Sequence, residues 1–201
     1  ENLDIQIGRP IELVLPRLFA KIVTARRGGF CYELNGLFAW LLDTLGFDVT
    51  YLSAGVARAD GSFGPEFDHL ALLVLCPAGK DPTTRWLADV GFGESFREPL
   101  QLDATSEQRQ VAGAYRIDVQ EPYRILWRRE GAGAPAQQYR FTLRPRNYRE
   151  FGEMCVYHQT SPRSSFTQRR ICSLATPDGR ISLENQRLIV TAQGERAEQI
   201  I

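Results

Sequence analysis

The chain has 201 residues, and its 24 basic and 24 acidic side chains give a formal net charge of zero at pH 7. It lacks the polycationic character that binds nucleic acid or anionic membranes, and no apolar run approaches the roughly 20 residues of a membrane span. Four cysteines without CxxC spacing and two histidines predict no metal site. We therefore expect a cytoplasmic protein with reduced thiols and no nucleic-acid or membrane partner.

Residues 1–48 are predicted to form a helical region that carries a nucleophile. From Leu34 to Leu45, apolar residues recur at the one-face spacing of an α-helix, and Gly46 provides a stop. Cys31 follows a glycine turn and lies at the start of this helix. Unpaired backbone N–H groups and the helix macrodipole favour an anion there, and the thiolate is the reactive form of cysteine. Cys31 is therefore a candidate nucleophile, although most cysteines in such chains are simply buried apolar residues.

Residues 49–146 are predicted to form a mostly antiparallel β-barrel or curled sheet, because β-branched and aromatic runs are divided by Gly, Pro and Asp turns. The predicted strands are 49–57, 70–75, 86–90, 115–119, 123–127 and 139–143. His69 opens one apolar run, and Asp89 lies near the end of the next. If these strands are neighbours, the Asp89 carboxylate can accept a hydrogen bond from one ring nitrogen of His69 while the other nitrogen faces Cys31. This arrangement supplies a nucleophile, a base and an orienting carboxylate. The alternative is a buried structural histidine beside an aspartate that caps a turn.

The loop that follows Asp89 contains two glycines around one aromatic residue. Such glycines would let backbone N–H groups approach a phosphate, so Gly91, Phe92 and Gly93 are candidate cofactor contacts. The alternative is a plain turn at the end of a strand.

Residues 147–201 are predicted to contain a linker helix and part of a lid region. The helix is expected over 147–160, and strands separated by a Pro-Asp-Gly turn are expected over 167–190. The three regions 1–48, 49–146 and 147–201 thus form the predicted domain organisation.

A series of motifs along the whole chain carries a resemblance to a known family. The motifs are Glu1–Asp4, Arg27–Asn35, Asp68–Leu70, Asp89–Gly93, Phe141–Pro145, Ser161–Phe166 and Ile171–Gly179. In this ordered series the chain resembles the arylamine N-acetyltransferases. The resemblance implies an α+β fold with a cysteine-protease-like (transglutaminase-like or papain-like) core, comprising an N-terminal helical region, an antiparallel β-barrel region and a partial α/β lid. It also implies further family segments at both ends, so we expect a truncated chain.

The resemblance implies acetyl-CoA as the acyl donor, with Cys31, His69 and Asp89 as the catalytic triad. An acetyl group would pass to Cys31 and then to an aromatic amine, an arylhydroxylamine or a hydrazine. Positions that match the family's CoA contacts, besides the loop after Asp89, are Tyr157, Arg163 and Ser165. Candidate walls of the acceptor pocket, each of which could instead be an ordinary core aromatic, are Phe30, Phe67, Phe92 and Phe166.

Two other classes of function use parts of the same pattern. A related amide synthase, or a hydrolase such as a cysteine protease, would need the same three catalytic residues. The segments Ser161–Phe166 and Thr176–Gly179 favour acetyl transfer over proteolysis, because papain-like enzymes do not need them, but they also fit an amide synthase. A non-catalytic binding protein would not need all three catalytic residue types.

Overall fold

Helices and antiparallel strands both form in this chain, which confirms the predicted α+β class. The structure is a computed structural model that describes residues 1–76, 84–93 and 95–201. In this part of the chain, the helices are α1 (Leu3–Gln6), α2 (Leu15–Phe19), α3 (Cys31–Thr44), α4 (Gly152–Thr160) and α5 (Ser165–Gln168). None of the described helices has the length and hydropathy needed to cross a membrane.

The described residues divide into two compact units. The first is Cys31–Phe151, called here the barrel unit. The second combines Glu1–Phe30 with Gly152–Ile201 and is called here the split unit. Cys31, His69 and Asp89 all belong to the barrel unit.

The barrel unit contains a sheet in which eight strands are described. They are β1 (Asp48–Val56), β2 (His69–Leu75), β3 (Arg85–Ala88), β4 (Leu100–Gln101), β5 (Gln108–Gln110), β6 (Gly113–Gln120), β7 (Tyr123–Arg129) and β8 (Ala136–Phe141). Their order is β4-β3-β2-β1-β8-β7-β6-β5, so β4 and β5 are the edges. The Gln108 side chain joins these edges, because it accepts from the Gln101 N–H at 2.8 Å and donates to the Gln101 carbonyl at 2.9 Å. The sheet is therefore a nearly closed barrel, as predicted.

Apolar side chains from alternate strand positions fill the interior of this barrel. Its core cluster comprises Leu52, Ala54, Ala71, Leu87, Phe96, Leu100, Leu102, Tyr115, Ile117, Leu126, Tyr139 and Phe141. Burial of each large apolar side chain contributes about 1.5–3 kcal/mol. Strand β2, which begins at His69, and strand β3, which ends just before Asp89, are thus fixed by packing on a continuous core.

Helix α3 contacts β1 and β2, and its first turn is buried. Gly36 allows the close approach of Tyr148, since a Cβ at Gly36 would lie 2.1 Å from the Tyr148 hydroxyl oxygen. That hydroxyl donates to the carbonyl of Tyr32 at 2.8 Å. The helix ends at Thr44, and Gly46 takes a φ of 87°, as expected for a helix stop.

The segment between α2 and α3 is a turn held by ion pairs rather than a continuation of the helical region. A π-helical turn at Ala20–Thr24 follows α2. Arg26 then adopts a φ of 52°, a conformation that cannot continue a right-handed helix. The Arg27 guanidinium then contacts the carboxylates of Glu1 at 2.8 Å and Asp4 at 2.7 Å. These ion pairs fix the backbone of the split unit just before the nucleophile.

The split unit contains a four-stranded antiparallel sheet among its described residues. Its strands, in the order β12-β11-β10-β9, are β9 (Ile171–Thr176), β10 (Gly179–Glu184), β11 (Arg187–Ala192) and β12 (Glu195–Ile200). The buried Asn2 side chain donates to the carbonyls of Phe166 and Arg169 at 2.8 and 2.7 Å and accepts from the Ile171 N–H at 2.7 Å. Asn2 is thereby bonded to α5, to the residue that follows α5 and to the first residue of β9.

Candidate active site

The antiparallel pairing of β2 and β3 brings His69 and Asp89 together. His69 is the first residue of β2, and Asp89 directly follows the last residue of β3. Their side chains are buried and lie 2.7 Å apart, measured from His69 Nε2 to Asp89 Oδ2. This bond occupies Nε2 and leaves the other ring nitrogen, Nδ1, available to a second partner.

Cys31, the first residue of α3, also interacts with the His69 side chain. Burial alone would lower the pKa of His69, but the charge and hydrogen bond of Asp89, followed by the contact with Cys31, raise it to about 10. The imidazole therefore holds its proton at neutral pH. Sulfur, imidazole and carboxylate form one continuous series of contacts.

The Asp89 carboxylate is saturated with hydrogen-bond donors. Its Oδ1 accepts from Asn35 Nδ2 at 2.8 Å, from the Gly91 N–H at 2.9 Å and from the Phe92 N–H at 3.1 Å. Burial would raise the pKa of Asp89, but the His69 charge and these hydrogen bonds lower it overall. Asp89 therefore remains an anion and stabilises a positive charge on His69.

Asn35 is a site residue that the sequence motifs did not predict. Its side chain is fully buried and, besides its bond to Asp89, it donates to the Leu70 carbonyl at 2.6 Å and accepts from the Val90 N–H at 2.8 Å. A sequence signal for it exists, because Asn35 lies four residues after Cys31 on the apolar side of the helix, where an amide needs partners.

Two aromatic rings cover the imidazole. The Phe92 and Tyr139 rings each lie 5.1 Å from the His69 ring between centroids, and 5.0 Å from one another. Burial, followed by the charge of Asp89, raises the pKa of Tyr139 well above its usual value, so the phenol stays neutral. These rings exclude water from one side of His69 and strengthen its interaction with Asp89.

The loop after Asp89 supports the triad through its backbone. A Cβ at Gly91 would lie only 2.6 Å from Cys31 Cα, so this position requires glycine. The N–H groups of Gly91 and Phe92, which were expected to approach a phosphate, donate instead to Asp89. Gly93 adopts a φ of 43°. Cofactor contact by this loop stays a prediction.

Five of the other residues predicted to contact CoA or the acceptor lie in the split unit. They are Phe30, Tyr157, Arg163, Ser165 and Phe166. Within this unit the Phe30 and Phe166 rings form an edge contact at 5.8 Å, and the Tyr157 ring packs against His158 at 5.5 Å. Arg163 and Ser165 are exposed. Phe67 lies in the barrel unit, with its ring edge-on to Phe151 at 5.1 Å. The ligand roles of all these residues stay predictions.

One protein family accounts for the similarities of this chain to known proteins. The family model described as N-acetyltransferase matches residues 1–201. Arylamine N-acetyltransferase 2 of Mus musculus is 36% identical over 89% of this chain and 67% of its own length. The M. smegmatis arylamine N-acetyltransferase structure superposes with a TM-score of 0.90 at 33% identity, covering 100% of this chain and 73% of the other. The Mycobacterium marinum enzyme in complex with CoA also gives 0.90, at 28% identity over 100% and 74% of the two chains.

Proposed function

Because this chain belongs to the arylamine N-acetyltransferase family, we propose that it transfers acetyl groups from acetyl-CoA through a covalent intermediate on Cys31. The observation that carries this proposal is the buried series of contacts from Cys31 to His69 and from His69 to Asp89. The M. marinum relative binds CoA, which supports acetyl-CoA as the donor. The acceptors would be aromatic amines, arylhydroxylamines or hydrazines, since each offers a nucleophilic nitrogen.

In the first half-reaction, the Cys31 thiolate attacks the thioester carbonyl of acetyl-CoA. His69 takes the proton of Cys31, and Asp89 stabilises the resulting imidazolium. The tetrahedral intermediate collapses with cleavage of the bond between the carbonyl carbon and the CoA sulfur. The departing CoA thiolate takes the proton from His69, which leaves acetyl-Cys31 and a neutral imidazole.

In the second half-reaction, the amine nitrogen attacks the acetyl-Cys31 carbonyl. Neutral His69 removes a proton from this nitrogen, and Asp89 again stabilises the resulting charge. The carbon–sulfur bond breaks, the acetylated amine departs, and the Cys31 thiolate with protonated His69 is restored. Thioester-to-thioester exchange in the first step is nearly isoenergetic, so a thiol suits this cycle.

The oxyanion of each tetrahedral intermediate needs backbone donors. The first residues of a helix have N–H groups without intrahelical partners, and α3 begins at Cys31. The nearby N–H groups of Gly91 and Phe92 are occupied by Asp89. The N–H group of Cys31, the first residue of this helix, is the proposed oxyanion donor.

Initial-rate kinetics with acetyl-CoA and a simple arylamine would test this proposal. We expect parallel lines in double-reciprocal plots, because CoA leaves before the amine reacts; intersecting lines would contradict a covalent intermediate. Cys31→Ser should abolish turnover, whereas Cys155→Ser, which changes another buried cysteine, should retain it. Continuous CoA release without any amine would favour a hydrolase instead.

A further inference from the structure

The residue directly after the nucleophile is bonded to the two residues directly before the base. Tyr32 follows Cys31 in α3, and its hydroxyl donates to the Phe67 carbonyl at 2.6 Å and, more weakly, to the Asp68 carbonyl at 3.2 Å. Tyr32 has no exposed surface. One side chain therefore connects the start of the nucleophile's helix to the backbone that leads into His69.

The backbone held by Tyr32 has an unusual conformation. Phe67 adopts a φ of 65°, in the left-handed region that a Cβ disfavours. A residue in this region needs surrounding contacts to keep it there. Here the Phe67 N–H donates to Ser53 Oγ at 2.6 Å, while Tyr32 holds the carbonyl of the same residue. The Arg146 guanidinium also lies 4.9 Å from the centre of the Phe67 ring.

The next residue is fixed in the same way. Asp68 Oδ2 accepts a hydrogen bond from the Val56 N–H at 3.2 Å. This oxygen also lies so close to Gly64 that a Cβ at Gly64 would clash with it. Ser53 and Val56 both belong to β1, and Ser53 pairs with Leu70, the residue after His69. The two residues before His69, Phe67 and Asp68, are thus held by hydrogen bonds to β1 and to the Tyr32 hydroxyl.

We propose that the Tyr32 side chain is a positioning residue that sets the separation between the Cys31 sulfur and the His69 imidazole. This inference rests on the proposed roles of Cys31 and His69 in acetyl transfer. Without the hydroxyl, the Phe67 carbonyl loses its buried donor, and the left-handed residue relaxes toward an ordinary φ. His69 lies two residues after Phe67, so this relaxation moves the His69 imidazole away from the Cys31 sulfur.

Tyr32→Phe removes only the hydroxyl, and Tyr115→Phe is its matched control. Tyr115 is equally buried in the barrel unit but lies on β6, separated from β2 by β1, β8 and β7. Two rates are measured: single-turnover acetylation of Cys31 by acetyl-CoA, and alkylation of Cys31 by iodoacetamide. We expect Tyr32→Phe to lower both rates about tenfold, the effect of one buried hydrogen bond. The acetyl-CoA concentration that gives half the maximal rate should not change, and Tyr115→Phe should leave both rates within about twofold of the original.

Ser53→Ala gives an independent test, because it removes the other bond to Phe67 and decides the matter even if Tyr32→Phe fails to fold. It should lower the same two rates, and the double variant should lose less than the product of the single losses, since both bonds hold one residue. Wild-type rates in a folded Tyr32→Phe protein, or in Ser53→Ala, would overturn the proposal. If the original protein is not acetylated on Cys31, the proposed function fails, while the alkylation rates still decide whether Tyr32 positions the pair.

Discussion

The side-chain amide of Asn35 donates to the Asp89 carboxylate at 2.8 Å, which bonds the nucleophile's helix directly to the group that orients the base. The same amide donates to the Leu70 carbonyl in β2, the residue after His69. Asn35 lies one helical turn after Cys31, so the three catalytic residue positions are connected through one buried side chain. Removal of the Asn35 side chain would take one hydrogen-bond donor from the buried Asp89 carboxylate and one from the Leu70 carbonyl.

We predict that Asn35→Ala lowers both activity and stability. Loss of its three buried hydrogen bonds should reduce the free energy of unfolding by about 2–3 kcal/mol and kcat at least about tenfold. Urea unfolding and steady-state kinetics measure the two effects. Gln120→Ala, which truncates an exposed amide side chain of the barrel unit, should change neither. Equal behaviour of the two variants would contradict the bridging role of Asn35.

The stabilising effect of the His69–Asp89 pair should depend on pH. Despite burial, Asp89 and Cys31 raise the pKa of His69 from 6.5 to about 10, so its contribution is full below pH 6.5 and is lost as pH rises through about 10. The pKa of Asp89 is lowered from 3.8, so its contribution is present above pH 3.8 and is lost as pH falls through the folded-state value.

Urea unfolding of the original protein and of His69→Gln can measure this dependence. The difference in their free energies of unfolding should shrink as pH rises from about 6 to about 9, because the original protein loses the contribution of the charged pair. A difference that stays constant over this interval would show that His69 is not held in its protonated form by Asp89.

Gly91→Ala should disrupt the site through packing. The added Cβ would lie 2.6 Å from Cys31 Cα and 2.8 Å from Asn35 Nδ2, so backbone atoms of the nucleophile must move. We expect a loss of about 1–3 kcal/mol in the free energy of unfolding and a large fall in kcat. Gly152→Ala is the control, since a Cβ there meets nothing within 4 Å. Normal kcat in Gly91→Ala would show that Cys31 tolerates the displacement.

The motif match at Arg163 predicts a role in binding the CoA part of the donor. Arg163 is exposed in the split unit, where its guanidinium is accessible to a phosphate. Arg163→Ala should therefore raise the KM for acetyl-CoA several-fold while kcat changes little. Arg170→Ala, which removes another exposed arginine of the same unit outside that motif, provides the comparison. A KM that rises equally in both variants would point to net charge rather than to a specific contact.

Much of the barrel could be predicted from the sequence because its long strands have strong local patterns. The predicted runs at 49–57, 70–75 and 123–127 correspond to β1, β2 and β7, within two residues at most of their ends. The edge strands β4 and β5 were missed, since runs of two and three residues are too short to show a period. Their place depends on the Gln108 side chain, which no local pattern predicts.

In the candidate site, too, local sequence patterns predict some residues, whereas others depend on non-local contacts. Cys31, His69 and Asp89 could be proposed because each lies at the end of a recognisable helix or strand. Tyr139 could not, since its contact with His69 arises from the order of β2, β1 and β8 across the sheet. The left-handed conformation of Phe67 was equally hidden, because non-local hydrogen bonds hold it.

The acetyl-enzyme is the species on which the account depends. The protein is incubated with acetyl-CoA in the absence of amine, digested and mapped by mass spectrometry, and a second sample receives an arylamine before digestion. We predict one acetyl group on the peptide containing Cys31, removed when the arylamine is added and absent in His69→Gln. Acetylation at another residue, or a folded and active protein that never carries acetyl on Cys31, would contradict the account.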